Sequence, residues 1–570
     1  MDKKEIMFAP KRKISPVAKN ILKKRYYSKG ETTWEEIAKR VVDWVYPKDK
    51  HPETYEIMYK MLKNRYFLPN SPCLVNAGKP DGGLSACFVV DFPDTIEGIY
   101  KTKLDFAYIA RKGGGCGTSL SKLRPENSPV AGSTHGYAGG PLRFADTISH
   151  DMDALTQSGF RSMAIMFTMS CYHPDIIKFI VAKHEEGRIA NANISVTIDD
   201  MFMEKVLKEE DYWTRFHGEK YNKYNAKAIF DLIVEGMWRN GEPGVLFYNR
   251  INNSPYKYAG EELVSTNPCA EQPLSSNGSC NLGSLDLSKF VTKDKEIDWE
   301  MLETAVNLSV EFLDSVIDIS GYPTWEINEW AKTHRAIGLG IMGYADMLLM
   351  MEKAYGSDEA NDLLEKILEF IYKKAEKKSI ERGKKMGVPD KCKNLPEPRR
   401  NITLTTVAPT GTVSLISGCS SGIEPIFSEI TIRNDKTGTY TFENDLAKKS
   451  YFRCAVSTKD AQEVTWEEHI NTLASAQKYI DSGVSKTTNF PKGTHRETIG
   501  KAIVKAWTDG CKGLAVYRNG SRKVEVLSPK NVKKELCPIC GGEMIKVNGK
   551  MKCLVCNIDT VIEESSTYYD

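Results

Sequence analysis

The sequence lacks long apolar runs and a strong excess of either charge. No stretch approaches the roughly 18 apolar residues that a membrane-spanning helix needs, and the N-terminus has no apolar segment typical of a secretory signal. Its 78 Lys and Arg residues nearly balance its 75 Asp and Glu residues. Such a balance creates no strong field for nucleic acid or for an acidic membrane surface. We therefore expect a cytoplasmic protein that binds neither nucleic acid nor a membrane.

Two common nucleotide-binding patterns are missing or out of place. The GxxxxGK[ST] pattern of P-loop ATPases does not occur, which argues against that class. Gly338, Gly340 and Gly343 formally satisfy GxGxxG, but a Met- and Leu-rich helical pattern continues from them and no strand is predicted before them. A dinucleotide site needs that preceding strand. We therefore interpret these glycines as positions of tight helix packing.

The spacing of apolar residues divides the chain into regions. Residues 14–68 have helical spacing, and Thr33 and Glu36 are placed for a capping box. From about residue 70 to about residue 500, strand-like and helix-like patterns alternate, which indicates an α/β architecture. The predicted strands are 87–90, 164–169, 193–198, 402–407 and 413–416, and the predicted helices are 225–240, 298–319, 358–387 and 465–482.

Cysteine is plentiful, and its spacing is informative. Because no secretory signal is recognised, we expect the 14 cysteines to start out reduced. The last four form two CxxC pairs separated by 12 residues, and the first pair lies in a CPxCGG sequence. This pattern is typical of a zinc ribbon, in which four thiolates hold one tetrahedral Zn²⁺; unliganded thiols are the alternative. The candidate ligands are Cys537, Cys540, Cys553 and Cys556.

The segment 265–274 places a cysteine between an amide and a carboxylate. If the segment is extended, Asn267, Cys269 and Glu271 point to the same side and can act on one small molecule. The alternative is a buried structural cysteine between surface polar groups, because free cysteines are commonly buried. A second cysteine, Cys280, follows in the sequence SCNLGSL.

Several glycine- or hydroxyl-rich segments border apolar runs. The segment 112–119, KGGGCGTS, permits close approach of the backbone to a ligand. The segments 408–414 and 418–425 offer backbone N–H groups and hydroxyls that can hold a phosphate without a cation. Ser71 is either a ligand-binding residue or the cap of a turn. Taken alone, the two hydroxyl-rich segments are better explained as ordinary turns, and the glycine loop is a weak signal.

Together and in this order, the segments resemble the catalytic domain of ribonucleotide reductase large subunits, over about residues 15–525. The segments 482–491 and 510–522 make the resemblance closest to the adenosylcobalamin-dependent class. Tyr517 stands alone where the oxygen-dependent class has adjacent tyrosines, and no glycyl-radical motif is recognisable. The matching motifs are NSPCLVNAG (70–78), LSACFV (84–89), KGGGCGTSLSKLRP (112–125), HPDIIKFI (173–180), NISVTID (193–199), NPCAEQPL (267–274), SCNLGSLDL (279–287), RAIGLGIMGYADML (335–348) and APTGTVSLISGCSSGIEP (408–425).

The resemblance implies a fold and domain boundaries. It implies a ten-stranded α/β barrel of two five-stranded halves, with Cys269 on an internal finger loop. An N-terminal helical region precedes the barrel, and a zinc-ribbon-like module follows it. The expected bounds are 1–69 for the helical region, 70–522 for the catalytic barrel, 523–536 for a linker, 537–558 for the module and 559–570 for a disordered tail.

The resemblance also implies a reaction, in which hydrogen replaces a ribose 2′-hydroxyl. Adenosylcobalamin would start a radical reaction in which Cys269 becomes a thiyl radical and abstracts the 3′-hydrogen. Glu271 would accept the proton of the 3′-hydroxyl, and Asn267 would hold the substrate hydroxyls. Cys87 and Cys280 would reduce the substrate radical and end as a disulfide, which requires Cα atoms about 4.4–6.8 Å apart.

By the same resemblance, dNTP or ATP effectors would bind at a homodimer interface near Asp94, and the loop 157–163 would relay the signal. That loop departs from the family, since only Arg161 of its usual arginines is present. A thioredoxin- or glutaredoxin-like protein would regenerate the thiols, unless the C-terminal cysteines do so. The expected residues for the ribonucleotide substrate are Ser71, Ala86, Pro409, Thr410, Gly411, Thr412, Ser414, Ser420, Ser421 and Gly422.

Two rival functions stay open at this point. One is a large subunit that needs a separate radical-generating subunit, against which the lone Tyr517 argues. The other is a silent, nucleotide-binding regulatory relative, against which the intact Cys269 and Glu271 argue. The DxHxxG signature of histidine-ligated cobalamin is missing at His51, which fits a family that binds the cofactor without displacing its own base. Diphosphate substrates are expected, with triphosphates as the alternative.

Overall fold

The computed structural model describes most of the chain as far as residue 521. The predicted zinc ligands Cys537, Cys540 and Cys556, the side chain of Cys553 and the predicted effector residue Arg161 lie outside the described residues. None of the described helices is long and apolar enough to cross a membrane. The described residues are 8–9, 12–130, 136–155, 163–184, 188–189, 191–435, 438–448, 451–456 and 462–521, together with four short strands beyond residue 521.

The chain begins with a helical region, as predicted. Helices Pro16–Arg25, Trp34–Val45 and Tyr55–Lys63 precede the first strand. The predicted capping box is present: the Glu36 amide donates to Thr33 Oγ1 at 3.3 Å and the Thr33 amide donates to Glu36 Oε2 at 2.9 Å. These reciprocal bonds satisfy amides that the first helical turn leaves unpaired.

The strands are short and alternate with helices along the chain. In chain order they are β1 (Phe67–Pro69), β2 (Cys87–Val89), β3 (Gly115–Ser119), β4 (Ile165–Ser170), β5 (Ala192–Ile198), β6 (Asp211–Phe216), β7 (Glu219–Asn225), β8 (Gly244–Phe247), β9 (Ser265–Thr266), β10 (Pro273–Leu274), β11 (Gly278–Asp286), β12 (Ile337–Met342), β13 (Ile430–Asp435), β14 (Gly438–Glu443), β15 (Arg453–Cys454), β16 (Gln462–Glu463), β17 (Thr487–Phe490), β18 (Gly513–Arg518), β19 (Leu527–Pro529), β20 (Met544–Val547), β21 (Lys550–Cys553) and β22 (Asp559–Thr560).

Ten of these strands form one mixed sheet. β2, β3, β4, β5 and β8 are successive parallel neighbours and make one half. In the other half, β11 is parallel to β12 and β17 is parallel to β18. The halves meet in antiparallel pairs, β2 with β11 and β8 with β18, and β1 adds to β11 as a further antiparallel strand.

Two parallel bridges close the sheet into a barrel. Leu339 of β12 pairs with Thr405, and Val407 pairs with Val484, which lies shortly before β17. The segment 405–407 therefore fills the place between β12 and β17 in the second half. The predicted barrel of two five-stranded halves is confirmed, and closure leaves neither half with a free edge.

Helices surround the barrel strands, and apolar side chains fill the layer between them. Those predicted at 225–240, 298–319, 358–387 and 465–482 are confirmed, although the last ends earlier than predicted. The described helices after β1 are Ser71–Asn76, Ile96–Lys112, Pro141–Ala154, Ile176–Val181, Asp200–Lys208, Ala226–Asn240, Tyr248–Asn252, Trp299–Ile319, Trp325–His334, Tyr344–Met350, Asp358–Met386, Val413–Ser417, Trp466–Gln477 and Arg496–Thr508.

Two predictions of local structure are wrong. The segment predicted as strand 413–416 is the short helix Val413–Ser417, because a brief apolar run does not distinguish a strand from a buried helix. Gly338 and Gly340 lie within β12 and do not serve helix packing. A Cβ atom at Gly340 would lie 2.4 Å from the Thr406 carbonyl oxygen, so glycine lets the neighbouring segment of the barrel approach.

Candidate active site

A hairpin passes through the inside of the barrel. β9 and β10 pair as its two antiparallel arms, and glycines of both barrel halves make room for it. A Cβ atom at Gly117 would lie 1.8 Å from the Thr266 carbonyl oxygen, and one at Gly483 would lie 2.4 Å from that of Ala270. The Gly483 amide also donates to the Glu271 carbonyl at 2.8 Å. The predicted finger loop therefore exists, and it packs closely against both halves of the barrel.

The tip of this hairpin is a tight turn rather than the extended segment predicted from the alternation. The Ala270 amide donates to the Asn267 carbonyl at 3.0 Å, and Ala270 has a φ of 63°. The Asn267 side chain closes the turn, since its Oδ1 accepts from the Gln272 amide at 2.9 Å. Asn267 and Glu271 therefore converge because the chain turns back between them, not because they alternate on one face.

The two cysteines predicted as a reducing pair are direct neighbours in the sheet. Cys87 of β2 is the antiparallel register partner of Cys280 of β11. Paired residues of antiparallel strands have Cα atoms about 4.5–5.5 Å apart, which lies within the range that a disulfide spans. Both thiols are free and buried in the structure.

Asn267 and Glu271 both reach the Cys87 sulfur. Asn267 Nδ2 donates to Cys87 Sγ at 3.1 Å, and the Cys87 thiol points to Glu271 Oε1 at 3.7 Å. Burial raises the pKa of Cys87 well above its usual value, and the neighbouring Glu271 raises it further. Burial and Glu271 likewise raise the pKa of Cys280. The pair is therefore held as protonated thiols, the form that can give up hydrogen atoms.

Cys269 differs from the reducing pair because it is exposed. It occupies the tip of the hairpin, between Pro268, whose carbonyl accepts from Asn193 Nδ2 at 2.9 Å, and the left-handed Ala270. The structure thus brings four of the five predicted catalytic residues into one buried cluster. It presents the fifth, Cys269, on the open side of the fingertip.

The two hydroxyl-rich turns predicted to bind phosphate are joined to each other. The Gly422 amide donates to Thr410 Oγ1 at 2.8 Å, and Ser414 Oγ lies 2.9 Å from Ser421 Oγ. Thr410 adopts a φ of 51°, which turns the chain into the helix Val413–Ser417. A Cβ atom at Gly411 would meet nothing within 4 Å, so the surface above this turn is open.

The remaining predicted substrate residues border the barrel strands. Ser71 begins the helix Ser71–Asn76, and its hydroxyl lies 2.7 Å from the Tyr26 hydroxyl. Ala86 immediately precedes Cys87, and its carbonyl accepts from the Gly115 amide at 2.8 Å. The sequence did not single out Tyr26 or Asp346, whose Oδ2 accepts from the Ser420 amide at 2.6 Å.

The predicted effector residue Asp94 has a partner that the sequence did not reveal. Arg124 Nε donates to Asp94 Oδ2 at 2.7 Å.

Asp94 lies just before the helix Ile96–Lys112, whose exposed face carries four large apolar residues spaced four apart. They are Ile96, Tyr100, Leu104 and Tyr108.

The comparisons with known proteins agree with this geometry. Residues 85–396 and 393–517 match the family described as "Ribonucleotide reductase, barrel domain", and residues 12–82 match "Ribonucleotide reductase, all-alpha domain". The chain belongs to the ribonucleotide reductase family. The family resemblance and the barrel predicted from its motifs are both confirmed.

Curated relatives refine the comparison. The chain is 36% identical over 555 residues to the "Vitamin B12-dependent ribonucleoside-diphosphate reductase" of Thermoplasma acidophilum, covering 90% of this chain and 72% of the relative. It is 34% identical over 505 residues to the protein of the same name from Mycobacterium tuberculosis, covering 82% and 72% of the two chains. The predicted resemblance to the vitamin B12-dependent class of ribonucleotide reductases is therefore confirmed.

A solved structure shows the same fold. The "class Id ribonucleotide reductase alpha subunit" of Actinobacillus ureae superposes with a TM-score of 0.75 and covers 89% of this chain and 97% of its own. Its sequence identity is 21%, so the likeness concerns the fold of the ribonucleotide reductase barrel and not the source of the radical.

Proposed function

We propose that this ribonucleotide reductase converts ribonucleoside diphosphates to 2′-deoxyribonucleoside diphosphates in a thiyl-radical reaction that adenosylcobalamin starts. The names of the two curated relatives support the cofactor and the diphosphate substrate. The observation that carries the proposal is the pairing of Cys87 with Cys280 in the sheet, beside Asn267 and Glu271 of the finger. That arrangement supplies a dithiol reductant and an acid–base group in one place.

The fingertip leaves one thiol accessible to a bound cofactor. Cys269 is exposed, whereas Cys87 and Cys280 are buried. When bound, adenosylcobalamin supplies a carbon-centred radical that can take the hydrogen atom of a thiol. Because Cys269 is the accessible thiol of this site, it would be the residue that gives up this hydrogen atom. The turn at Pro268–Ala270 then holds its sulfur at the end of the finger.

The residues of the finger and the dithiol divide the reaction between them. Cys269, as a thiyl radical, takes the 3′-hydrogen of the ribose. Glu271 accepts the proton of the 3′-hydroxyl, which helps the 2′-hydroxyl to leave as water. Cys87 and Cys280 supply two electrons and two protons in all, so that one ribonucleotide and two thiols become one deoxyribonucleotide, one water and one disulfide. Asn267 binds the substrate hydroxyls and donates a hydrogen bond to the Cys87 sulfur, which positions the two relative to each other.

The joined turns are the proposed diphosphate site. Thr410, Gly411 and Thr412 precede a helix, and Ser420, Ser421 and Gly422 lie against them. Backbone N–H groups at such turns bind phosphate oxygens without a cation. Ser71, at the start of its own helix, would contribute a hydroxyl to the ribose or the diphosphate, and Ala86 and Pro409 would complete the wall of the site.

The regeneration of the dithiol involves groups beyond the described residues. We propose that a thioredoxin- or glutaredoxin-like protein reduces the Cys87–Cys280 disulfide, directly or through the C-terminal cysteines. The CxxC–x12–CxxC spacing supports zinc binding by Cys537, Cys540, Cys553 and Cys556. Chelator treatment followed by metal analysis of the full chain would test that assignment.

We also propose a homodimer that binds dNTP or ATP effectors at its interface. The exposed apolar face of the helix Ile96–Lys112 supports this arrangement. Residues four apart form a ridge along a helix, and two such ridges pack well against each other. Asp94, held by Arg124 at the start of the same helix, is placed to meet an effector ribose there.

The decisive experiment uses the purified chain alone. We expect it to form deoxyribonucleotide when given adenosylcobalamin, a dithiol and the four ribonucleoside diphosphates. Cys269→Ser should abolish turnover and leave diphosphate binding intact, whereas Cys511→Ala, a change at a cysteine buried in an apolar cluster, should retain activity. Product that appears only after a metal-containing partner is added would overturn the proposed radical source. Turnover by Cys269→Ser well above background would overturn the thiyl role.

A further inference from the structure

The second turn of the proposed diphosphate site, residues 420–424, is anchored to the rest of the fold at each of its residues. The Ser420 amide bonds to Asp346, Ser421 to Ser414 and the Gly422 amide to Thr410. The carbonyl of the next residue, Ile423, accepts from the Tyr355 hydroxyl at 2.5 Å. Such dense anchoring fixes the backbone of the turn, and the Ser420 and Gly422 amides are used in it.

The fifth residue of the turn, Glu424, is anchored through its charge. Its Oε1 accepts from the Thr487 amide at 2.6 Å and its Oε2 from Lys486 Nζ at 3.1 Å. The Lys486 side chain is 0% exposed, and its ammonium also donates to His469 Nδ1 at 2.7 Å. Burial and the charges of Lys486 and Arg453 lower the pKa of His469 well below its usual value. His469 is therefore neutral and leaves the ammonium charge for Glu424. Burial lowers the pKa of Lys486, and the charge and hydrogen bond of Glu424 oppose that lowering.

The charge of Glu424 matters because the turn is proposed to bind the negatively charged diphosphate of the substrate. A carboxylate two residues after Gly422 would repel a diphosphate, and low local dielectric would strengthen that repulsion. The buried ammonium of Lys486, 3.1 Å from Glu424 Oε2, offsets that repulsion. The Thr487 amide and Lys486 each hold one oxygen of the carboxylate, and of the two only the lysine brings a charge.

We propose that Lys486, supported by His469, is a positioning residue that neutralises Glu424 and so makes the turn 420–424 able to accept the diphosphate of the substrate. The inference rests on the proposed function, since it assigns the ligand of the turn from it. The lysine acts through Glu424 and the turn, and it does not itself touch the substrate.

The test measures binding of CDP and CMP to the full chain by equilibrium dialysis, together with KM and kcat for CDP. Lys486→Met leaves Glu424 without its ammonium and should weaken CDP binding roughly tenfold, with a smaller loss for CMP. Glu424→Gln removes the repulsive charge and should bind CDP at least as well as the wild type. The double variant Lys486→Met/Glu424→Gln is again neutral and should recover to within roughly threefold of wild-type affinity. For Lys486→Met, KM should change more than kcat.

Lys183→Met is the matched control, because it breaks a half-buried ion pair with Glu242 (2.8 Å) elsewhere on the barrel. It should change stability without changing the ratio of CDP to CMP affinity. A double variant that binds CDP as weakly as Lys486→Met would overturn the proposal and show that Lys486 has only a structural role. Equal losses of CDP and CMP affinity in Lys486→Met would do the same. If the wild-type chain itself bound no CDP, the proposed diphosphate substrate would fail first, before any variant was compared.

Discussion

At the scale of single residues, the site separates two kinds of thiol by exposure. Cys269 is open at the fingertip, while Cys87 and Cys280 are buried and share one neighbour, Glu271. The separation suits the proposed reaction, in which Cys269 carries the radical and Cys87 and Cys280 supply the reducing equivalents. Glu271 lies between the two and has one carboxylate oxygen near the Cys87 thiol.

Replacement of Glu271 by Gln should expose its role as an acid–base group. The amide is nearly isosteric, and the anchoring of residue 271 uses its backbone carbonyl, which accepts from Thr406 Oγ1 at 2.9 Å and from the Gly483 amide. We therefore expect kcat to fall by about 10²–10⁴ with little change in substrate affinity. Single-turnover assays and equilibrium binding would separate the two. Glu262→Gln, a change at an exposed carboxylate, is the control and should leave kcat unchanged.

The raised pKa values of the reducing pair predict the order in which the cysteines react. Iodoacetamide alkylates the thiolate, so a thiol with a raised pKa reacts slowly at a given pH and faster as the pH rises. At pH 8 the folded protein should be alkylated first at Cys269, while Cys87 and Cys280 stay unmodified. Peptide mass spectrometry over a time course would measure this. Early alkylation of Cys87 or Cys280 at neutral pH would show that the pair is neither buried nor protonated in solution.

At the scale of elements, the finger depends on two glycines that no local pattern distinguishes from ordinary turn residues. Gly117 lies in β3 and Gly483 in the segment before β17, so one glycine comes from each half of the barrel. Together they let the hairpin pass close to both walls. The position of the catalytic tip is therefore set by the walls of the barrel rather than by the hairpin itself.

Gly117→Ala should displace the finger without unfolding the barrel. The new Cβ atom would lie 1.8 Å from the Thr266 carbonyl oxygen, so the hairpin has to move. Overpacking of this kind costs about 1–3 kcal/mol of stability, and a displacement of about 1 Å at a catalytic group can lower the rate about a hundredfold. Thermal unfolding and kcat would be measured together. Gly493→Ala meets nothing within 4 Å and should change neither; an active Gly117→Ala variant would contradict the proposed close packing.

Interactions between residues close in the sequence were predicted correctly, whereas interactions between distant residues were not predicted from the sequence pattern. The capping box at Thr33 depends on residues three apart, and it was read from the sequence correctly. The pairing of Cys87 with Cys280 came from family resemblance, because nothing in their spacing brings them together. The finger loop was implied by the resemblance, whereas the alternation of polar residues suggested an extended segment, although Asn267–Pro268 is a turn-forming pair. Arg124 and Lys486 were missed because their partners are distant in the sequence.

At the scale of the whole molecule, the barrel holds the finger inside and carries an apolar helical face outside. The dithiol lies where β2 and β11 join the two halves. The helix Ile96–Lys112 instead turns large apolar residues outward, with Ile96 67% and Tyr100 64% exposed. A contiguous apolar face of this kind marks an interaction surface. Its position beside Asp94 links the proposed dimer to the proposed effector site.

Leu104→Glu should therefore convert the proposed homodimer to a monomer. The carboxylate would be buried in an apolar ridge without a partner, which costs several kcal/mol at an interface. Light scattering after size exclusion should show the mass halved relative to the wild type, and dNTP effectors should no longer change substrate preference. Leu207→Glu is the matched control, since Leu207 is similarly exposed, 58% against 50%, on another helix. A Leu104→Glu variant that stays dimeric would place the interface elsewhere, and a monomeric wild type would remove the dimer from the mechanism of regulation.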